Sequence, residues 1–199
     1  GALTLAEFNN EPKAARPAGG GFPSAVNAKA AIYQKNLLVG ISNLFRIASG
    51  FKNTTTLYGA YARIKNPAIR NYEKRTEPSF GGRSVFSLDK KMENRTMNFV
   101  AGAEFQQGYF NTQVSKNRNG EPDTLQTDDD IDNKMLSLFV QAGAEINNSW
   151  HFILGASLTR TDVKITRLNS YPVITKSRSY RNELAPKFSL MKQFSHRFH

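Results

Sequence analysis

The sequence predicts an all-β fold: an antiparallel up-and-down meander of about seven to eight long strands, forming a segment of a transmembrane β-barrel. Three observations carry this reading. Apolar residues alternate with small, polar or charged ones at the two-residue period of a strand. The alternating runs are longer than the usual globular strand of about 5–6 residues. Short turns alternate with long connections, so the two kinds fall at opposite ends of the sheet, as in outer-membrane barrels. A soluble β-sandwich shares the alternation, but the connection asymmetry and the charges on the polar face favour a membrane wall.

Residues 1–27 are rich in Ala, Gly, Pro and Asn, including the run Arg16-Pro17-Ala18-Gly19-Gly20-Gly21-Phe22-Pro23, and read as a loop. The rest of the chain, 28–199, reads as strands and connections of one partial barrel domain. A first strand runs from about Ile32 to Ile47, with Leu37, Val39, Ile41, Phe45 and Ile47 opposite Gly40, Ser42 and Arg46. Ala48 to Asn53 turn the chain into a second strand, Thr54 to about Ile64. Residues 65–82 are broken by Asn66-Pro67, Glu77-Pro78 and Gly81-Gly82, and predict a long charged loop. A third strand covers Arg83 to Lys91. After a turn at Met92 to Thr96, a fourth covers Met97 to about Val114, with Phe99, Ala101, Ala103, Phe105 and Tyr109 opposite Asn98, Gly102, Glu104, Gln106 and Gly108.

A second long loop is expected over 115–133, which holds Asn119-Gly120, Pro122 and the acidic run Asp128 to Asp132. The clearest hairpin follows, from Lys134 to Asp162. Leu136, Leu138, Val140, Ala142, Ala144 and Ile146 alternate with Ser137, Phe139, Gln141, Gly143 and Glu145; Asn147 to Ser149 turn; then Trp150, Phe152, Leu154, Ala156 and Leu158 alternate with His151, Ile153, Gly155, Ser157 and Thr159. A third loop at 168–178 leads to a seventh strand, Tyr180 to Phe194, with Leu184, Pro186, Phe188 and Leu190 on one face. Ser195-His196-Arg197 reads as a short turn into an eighth strand.

Composition bounds the function classes. The 199 residues are 39% hydrophobic with a mean hydropathy of −0.50. No apolar run approaches the roughly 20 residues of a membrane-spanning helix, whereas alternation averages each barrel strand to middling hydropathy. The chain has no cysteine, which excludes disulfides, thiolate metal sites and a cysteine nucleophile. A net charge of +11 invites a nucleic-acid reading. There is no groove-entering helix, zinc-ligand spacing or RNA-binding aromatic motif, so no nucleic-acid partner is expected and the charge reads as basic surface loops.

Residue patterns for chemistry are few. His196 and His199 sit three apart, which places them on opposite faces of a strand, and His151 reads as an interface residue beside Trp150. From Asp128, the sixth and twelfth positions of a calcium loop hold Asn133 and Phe139 instead of Gly and Glu; the acidic run reads as solvated loop charge, with a looser cation site as the alternative. Three glycosylation sequons fall at short turns and carry no weight. No catalytic residue, metal site or cofactor is expected. The ligand-binding candidates are Arg70, Tyr72, Lys74, Arg75 and Arg83, with Tyr109 and Phe110 at the far end of the fourth strand: arginine clamps carboxylate or catecholate oxygens, and aromatic faces stack on rings. The competing reading gives Tyr72 and Tyr109 to an aromatic girdle and the cations to lipopolysaccharide phosphates or to loop solvation.

The runs Phe105 to Thr112 and Thr127 to Ile131, the block Arg70-Asn71-Tyr72-Glu73-Lys74-Arg75-Thr76-Glu77-Pro78, and Asn182 to Leu190 resemble the barrel of TonB-dependent outer-membrane receptors, especially siderophore-type members. Glu183-Leu184-Ala185-Pro186-Lys187 is the most recognisable part. The resemblance implies a barrel of about 22 strands closed around a plug. It also implies an outer-membrane location, lipid contact, import of a ferric siderophore or similar ligand, and energy from the TonB complex through a plug domain. The chain shows no signal peptide, TonB-contacting box or plug, and is expected to be a slice of the barrel whose free edges invite self-association. Two other functions fit the pattern: a small passive or structural outer-membrane barrel, and a soluble β-sandwich binding module.

Overall fold

The computed structural model describes residues 4–93, 95–147 and 149–194. A short helix α1 (Leu5–Asn10) precedes the strands β1 (Tyr33–Ala48), β2 (Phe51–Pro67), β3 (Asn71–Met92), β4 (Arg95–Arg118), β5 (Glu121–Ile146), β6 (Trp150–Arg167), β7 (Ile174–Ser179) and β8 (Glu183–Lys192). They form one antiparallel sheet in sequence order, β1 to β7, with β8 also paired to β6. β7 pairs with Asp162 to Arg167 and β8 with Trp150 to Thr159, so together they fill the seventh position as one strand interrupted at 180–182. His196, His199 and the turn expected at 195–197 lie outside the described residues.

The long loops expected at 65–82 and 115–133 are strand instead. β2 and β3 join through Ala68 to Arg70, where Ala68 N–H donates to Asn71 O at 2.8 Å. Pro78 stays inside β3: it pairs with Tyr61 of β2, while the ladder to β4 skips Glu77 and Pro78, so the missing N–H interrupts one edge only. β4 and β5 join at Asn119-Gly120, with φ of 54° and 88°, the left-handed pair of a type I′ hairpin turn. β7 likewise occupies the second half of the loop expected at 168–178. The first 27 residues contain α1, started by a capping box in which Thr4 Oγ1 accepts from Glu7 N–H and Glu7 Oε2 accepts from Thr4 N–H.

Register decides which side chains share a face. Ile41, Leu57, Gly82, Phe105 and Leu136 lie on one cross-strand row, and Phe51, Leu88, Phe99, Ala142, Leu154 and Phe188 on another. This face is apolar and uncovered: Leu138, Val140 and Leu154 are 49%, 58% and 65% exposed. Between them Ser137, Phe139 and Gln141 are half-buried, although their face carries no second layer either. Side chains crowd one another on a concave surface, so the exposure alternation marks the polar face as the inside of a curved wall. The described chain has one sheet, so the β-sandwich alternative lacks its second layer.

The apolar band crosses the sheet obliquely. Its far edge lies at Leu37 on β1 and at Leu184 on β8, three cross-strand rows lower. Three rows of two residues are about 20 Å along the strands, and six interstrand steps are about 29 Å, an inclination of about 35°. A lipid slab is flat, so this stagger is the strand tilt of a barrel. β3, β4 and β5 run 22, 24 and 26 residues, well beyond the roughly 9–11 that cross a bilayer. They project past the band at the end opposite the β1–β2, β3–β4 and β5–β6 turns. There Asn117 ties three segments together: its Nδ2 donates to Ala28 O at 2.7 Å and Ala68 O at 2.6 Å, and its Oδ1 accepts from Gly120 N–H at 2.8 Å.

Charge should therefore be tolerated on one face of β5 and not on the other. In vesicles, Val140→Arg is expected to lower stability by about 2–4 kcal/mol and Gln141→Arg by less than about 1 kcal/mol. Denaturant unfolding followed through Trp150, the chain's one tryptophan, measures both; equal costs would contradict the face assignment.

Candidate ligand-facing site on the polar face

One cross-strand row of the concave face is polar from edge to edge: Ser42, Thr56, Arg83, Glu104, Ser137, Thr159 and Glu183. It lies at the depth of the apolar band on the opposite face, beside Ile41 and Leu138. Ser42 and Thr56 share a hydrogen bond of 2.9 Å, and Ser137 and Thr159 one of 2.6 Å. At its centre Tyr58 Oη donates to Glu104 Oε1 at 3.1 Å, Arg83 Nη1 lies 4.0 Å from Glu104 Oε2, and the Arg83 guanidinium sits 4.9 Å from the Phe139 ring centroid. Deeper along the strands, Lys187 Nζ donates to Gln141 Oε1 at 3.1 Å.

Two glycines make this arrangement possible. Gly81 is the cross-strand partner of Tyr58 and Gly102 that of Phe139. A Cβ on Gly81 would stand 2.5 Å from Tyr58 Oη and 2.6 Å from Phe105 O; one on Gly102 would stand 2.5 Å from Phe139 Cζ. Each ring lies flat over the backbone of its neighbour, which fixes Tyr58 and Phe139 against the wall and leaves Arg83 half-exposed towards the interior. The cluster offers guanidinium and phenol donors, a carboxylate and a ring face. That donor set binds and orients oxygen-rich anions.

The expected ligand residues do not converge. Arg75, Arg83 and Phe110 are on the concave face, with Arg75 held between Glu73 and Glu77 at 3.3 Å each. Tyr72, Lys74 and Tyr109 are on the outer face. Tyr72 is 7% exposed, and burial pushes its phenol pKa up. Tyr109 stacks on Phe80 at 6.5 Å, as a rim aromatic does. Arg70 is in the β2–β3 turn, its guanidinium 4.6 Å from the Phe22 ring centroid. Tyr58, Glu104 and Phe139 were not singled out; the signal that finds them is the aromatic–glycine pairing, which needs the register.

The acidic run divides between the faces. On the outer face Asn111 donates to Asp128 and Asp130 at 2.9 Å each, Gln113 to Asp128 at 3.0 Å, and Gln107 to Asp132 at 3.1 Å. On the inner face Arg167 binds Asp129 through Nε and Nη2, both at 2.8 Å. Among the described residues no cluster of three or more metal-ligating side chains forms.

No protein-family model and no curated protein matches the chain. Solved structures do. The ferric citrate transporter FecA in its unliganded form superposes with a TM-score of 0.71 at 11% identity, over 83% of this chain and 26% of that one. The siderophore receptor PiuA from Acinetobacter baumannii gives a TM-score of 0.68 at 12% identity, over 82% of this chain and 31% of that one. The chain therefore has the fold of a β-barrel segment and spans about a quarter to a third of these proteins' lengths.

Gly81→Ala is expected to destabilise by about 1–3 kcal/mol, because the new methyl meets a backbone oxygen as well as a ring; the cost should shrink in a Tyr58→Ala background, as a double-mutant cycle in vesicles would register. The Arg167 hydrogen bonds to Asp129, with burial opposing, hold that carboxyl below its ordinary pKa. A depressed folded pKa contributes stability that is fully present above the unfolded value and is lost as pH falls through the folded one. Hydrogen exchange at the far end of β5 and β6 should accelerate in that acid window, and Asp129→Asn should flatten the response.

Proposed function

We propose that this chain is part of the wall of an outer-membrane receptor that takes up a ferric siderophore or a similar scarce anionic chelate, energised by TonB through a plug domain of the intact protein. The observation that carries the reading is the edge-to-edge polar row on the concave face, at the depth where the opposite face is apolar. A wall wet on one side and greasy on the other suits a large barrel enclosing a polar interior. The likeness to FecA and PiuA supports the same architecture and supplies the transport expectation by analogy.

Within this reading Arg83 is the strongest ligand or plug contact, because it retains free donors beside the Phe139 ring. Arg75 and Phe110 stand further towards the far end on the same face. Tyr72, Lys74 and Tyr109 belong to the outer surface and its rim.

Uptake of radiolabelled ferric citrate and ferric catecholates by iron-limited cells tests this. Deleting the gene for the intact protein should abolish uptake of one chelate. Arg83→Gln should reduce that uptake by roughly tenfold, the order of a lost charge-assisted hydrogen bond, at unchanged surface abundance; Tyr109→Phe should leave it within about twofold. Uptake indifferent to the deletion contradicts the proposal. Uptake that persists without TonB would identify a passive barrel instead.

A further inference from the structure

The outer face carries a basic cleft apart from the ligand-facing row. Just beyond the apolar band, where β1 and β2 end their greasy stretch at Leu37 and Tyr61, the next same-face pair is Lys35 and Arg63, followed by Tyr33 and Lys65, and Lys65 in turn faces Lys74 of β3. Like charges directly opposite one another destabilise a sheet. Here two such pairs are consecutive. The N-terminal segment closes over them through Lys29, making a cleft of about 760 Å³ lined by Lys29, Tyr33, Lys35, Arg63 and Lys65, with Glu121 as its carboxylate.

None of the ion pairs among the described residues involves Lys29, Lys35, Arg63, Lys65 or Lys74. The contrast with β6 is direct: at the same rim Arg160 has Asp162 at 3.3 Å. An excess of cation therefore sits where the apolar band meets the polar projection of the wall. That is the depth at which lipid headgroups lie.

We propose that this cleft seats the phosphorylated headgroup of an outer-leaflet lipid, with its acyl chains along Leu37, Val39 and Ile41. The proposal rests on the membrane-wall reading. Phosphate oxygens bridge Lys35, Arg63 and Lys65 and relieve the opposed charges, Tyr33 and Tyr61 line the headgroup level, and the cleft volume accommodates a phosphorylated sugar.

The test uses the intact protein carrying this chain, purified in detergent, and native mass spectrometry with bisphosphorylated lipid A or its dephosphorylated form. The wild type should retain the phosphorylated lipid at least about tenfold better, and Lys35→Gln/Arg63→Gln/Lys65→Gln should lose that preference, since each cation near an anionic surface is worth roughly fivefold. Lys35→Arg/Lys65→Arg should keep it. Excess inorganic phosphate should not displace the lipid. Equal retention of both lipids by the wild type, an unchanged preference in the triple variant, or displacement by inorganic phosphate overturns the proposal. Wild type that fails to float with lipid vesicles would instead sink the membrane-wall reading; flotation without phosphate preference sinks the lipid site alone.

Discussion

The constraint on which the rest depends is the lateral hydrogen-bond ladder. In hydrocarbon every backbone N–H and C=O must find a partner within the protein, and a strand can find it only in its neighbours. The chain meets this with antiparallel pairing from β1 to β6, interrupted at Glu77-Pro78 and at bulges near Ile47 and between Val114 and Asn117, and with a divided partner, β7 and β8, beyond. Fixed register then follows into everything else. A slip by one residue would exchange the two faces of a strand, placing Ser137, Phe139 and Gln141 in lipid and Leu136, Leu138 and Val140 in the interior. The Tyr58–Gly81 and Phe139–Gly102 pairs pin the register from within, since each bulky ring needs a glycine opposite.

How much of this was legible in the sequence depended on where a strand has unlike faces. Lys134 to Asp162 read correctly as a hairpin because lipid on one side and water on the other impose a two-residue period. Glu121 to Asn133 and Asn71 to Glu77 are equally extended but project beyond the apolar band, where both faces meet polar surroundings. Without contrast there is no period, and Asp128 to Asp132 looked like a solvated loop. Asn119-Gly120 marked the hairpin turn, yet the charges around it obscured the signal. Pro78 misled for a different reason: it disrupts pairing on one side only, and β3 tolerates that.

The functional face was less legible than the fold. Arg83 stood out by charge, but Glu104 lies 21 residues after it and Tyr58 25 before it, and their meeting depends on interstrand register. Tyr72 and Lys74 read as loop residues beside Arg83, whereas Tyr109 reads as the far end of a strand, on the face of Phe99 and Phe105. The loop segment is part of β3, and its parity puts Tyr72 and Lys74 on the outer surface with Tyr109. The same parity gives Lys35, Arg63, Lys65 and Lys74 a common side and leaves them outside the ion pairs found among the described residues, so one register sets both a polar interior and a basic rim.

The most direct test of the wall is a nitroxide scan along β5. The chain has no cysteine, so single cysteines introduced from 122 to 146 label without background. In vesicles, even positions from 136 to 146 should be reached by oxygen dissolved in lipid and odd positions by a water-soluble paramagnetic complex, with both parities water-accessible below 134. Water access at both parities throughout, or lipid access at both, would contradict a one-sided membrane wall.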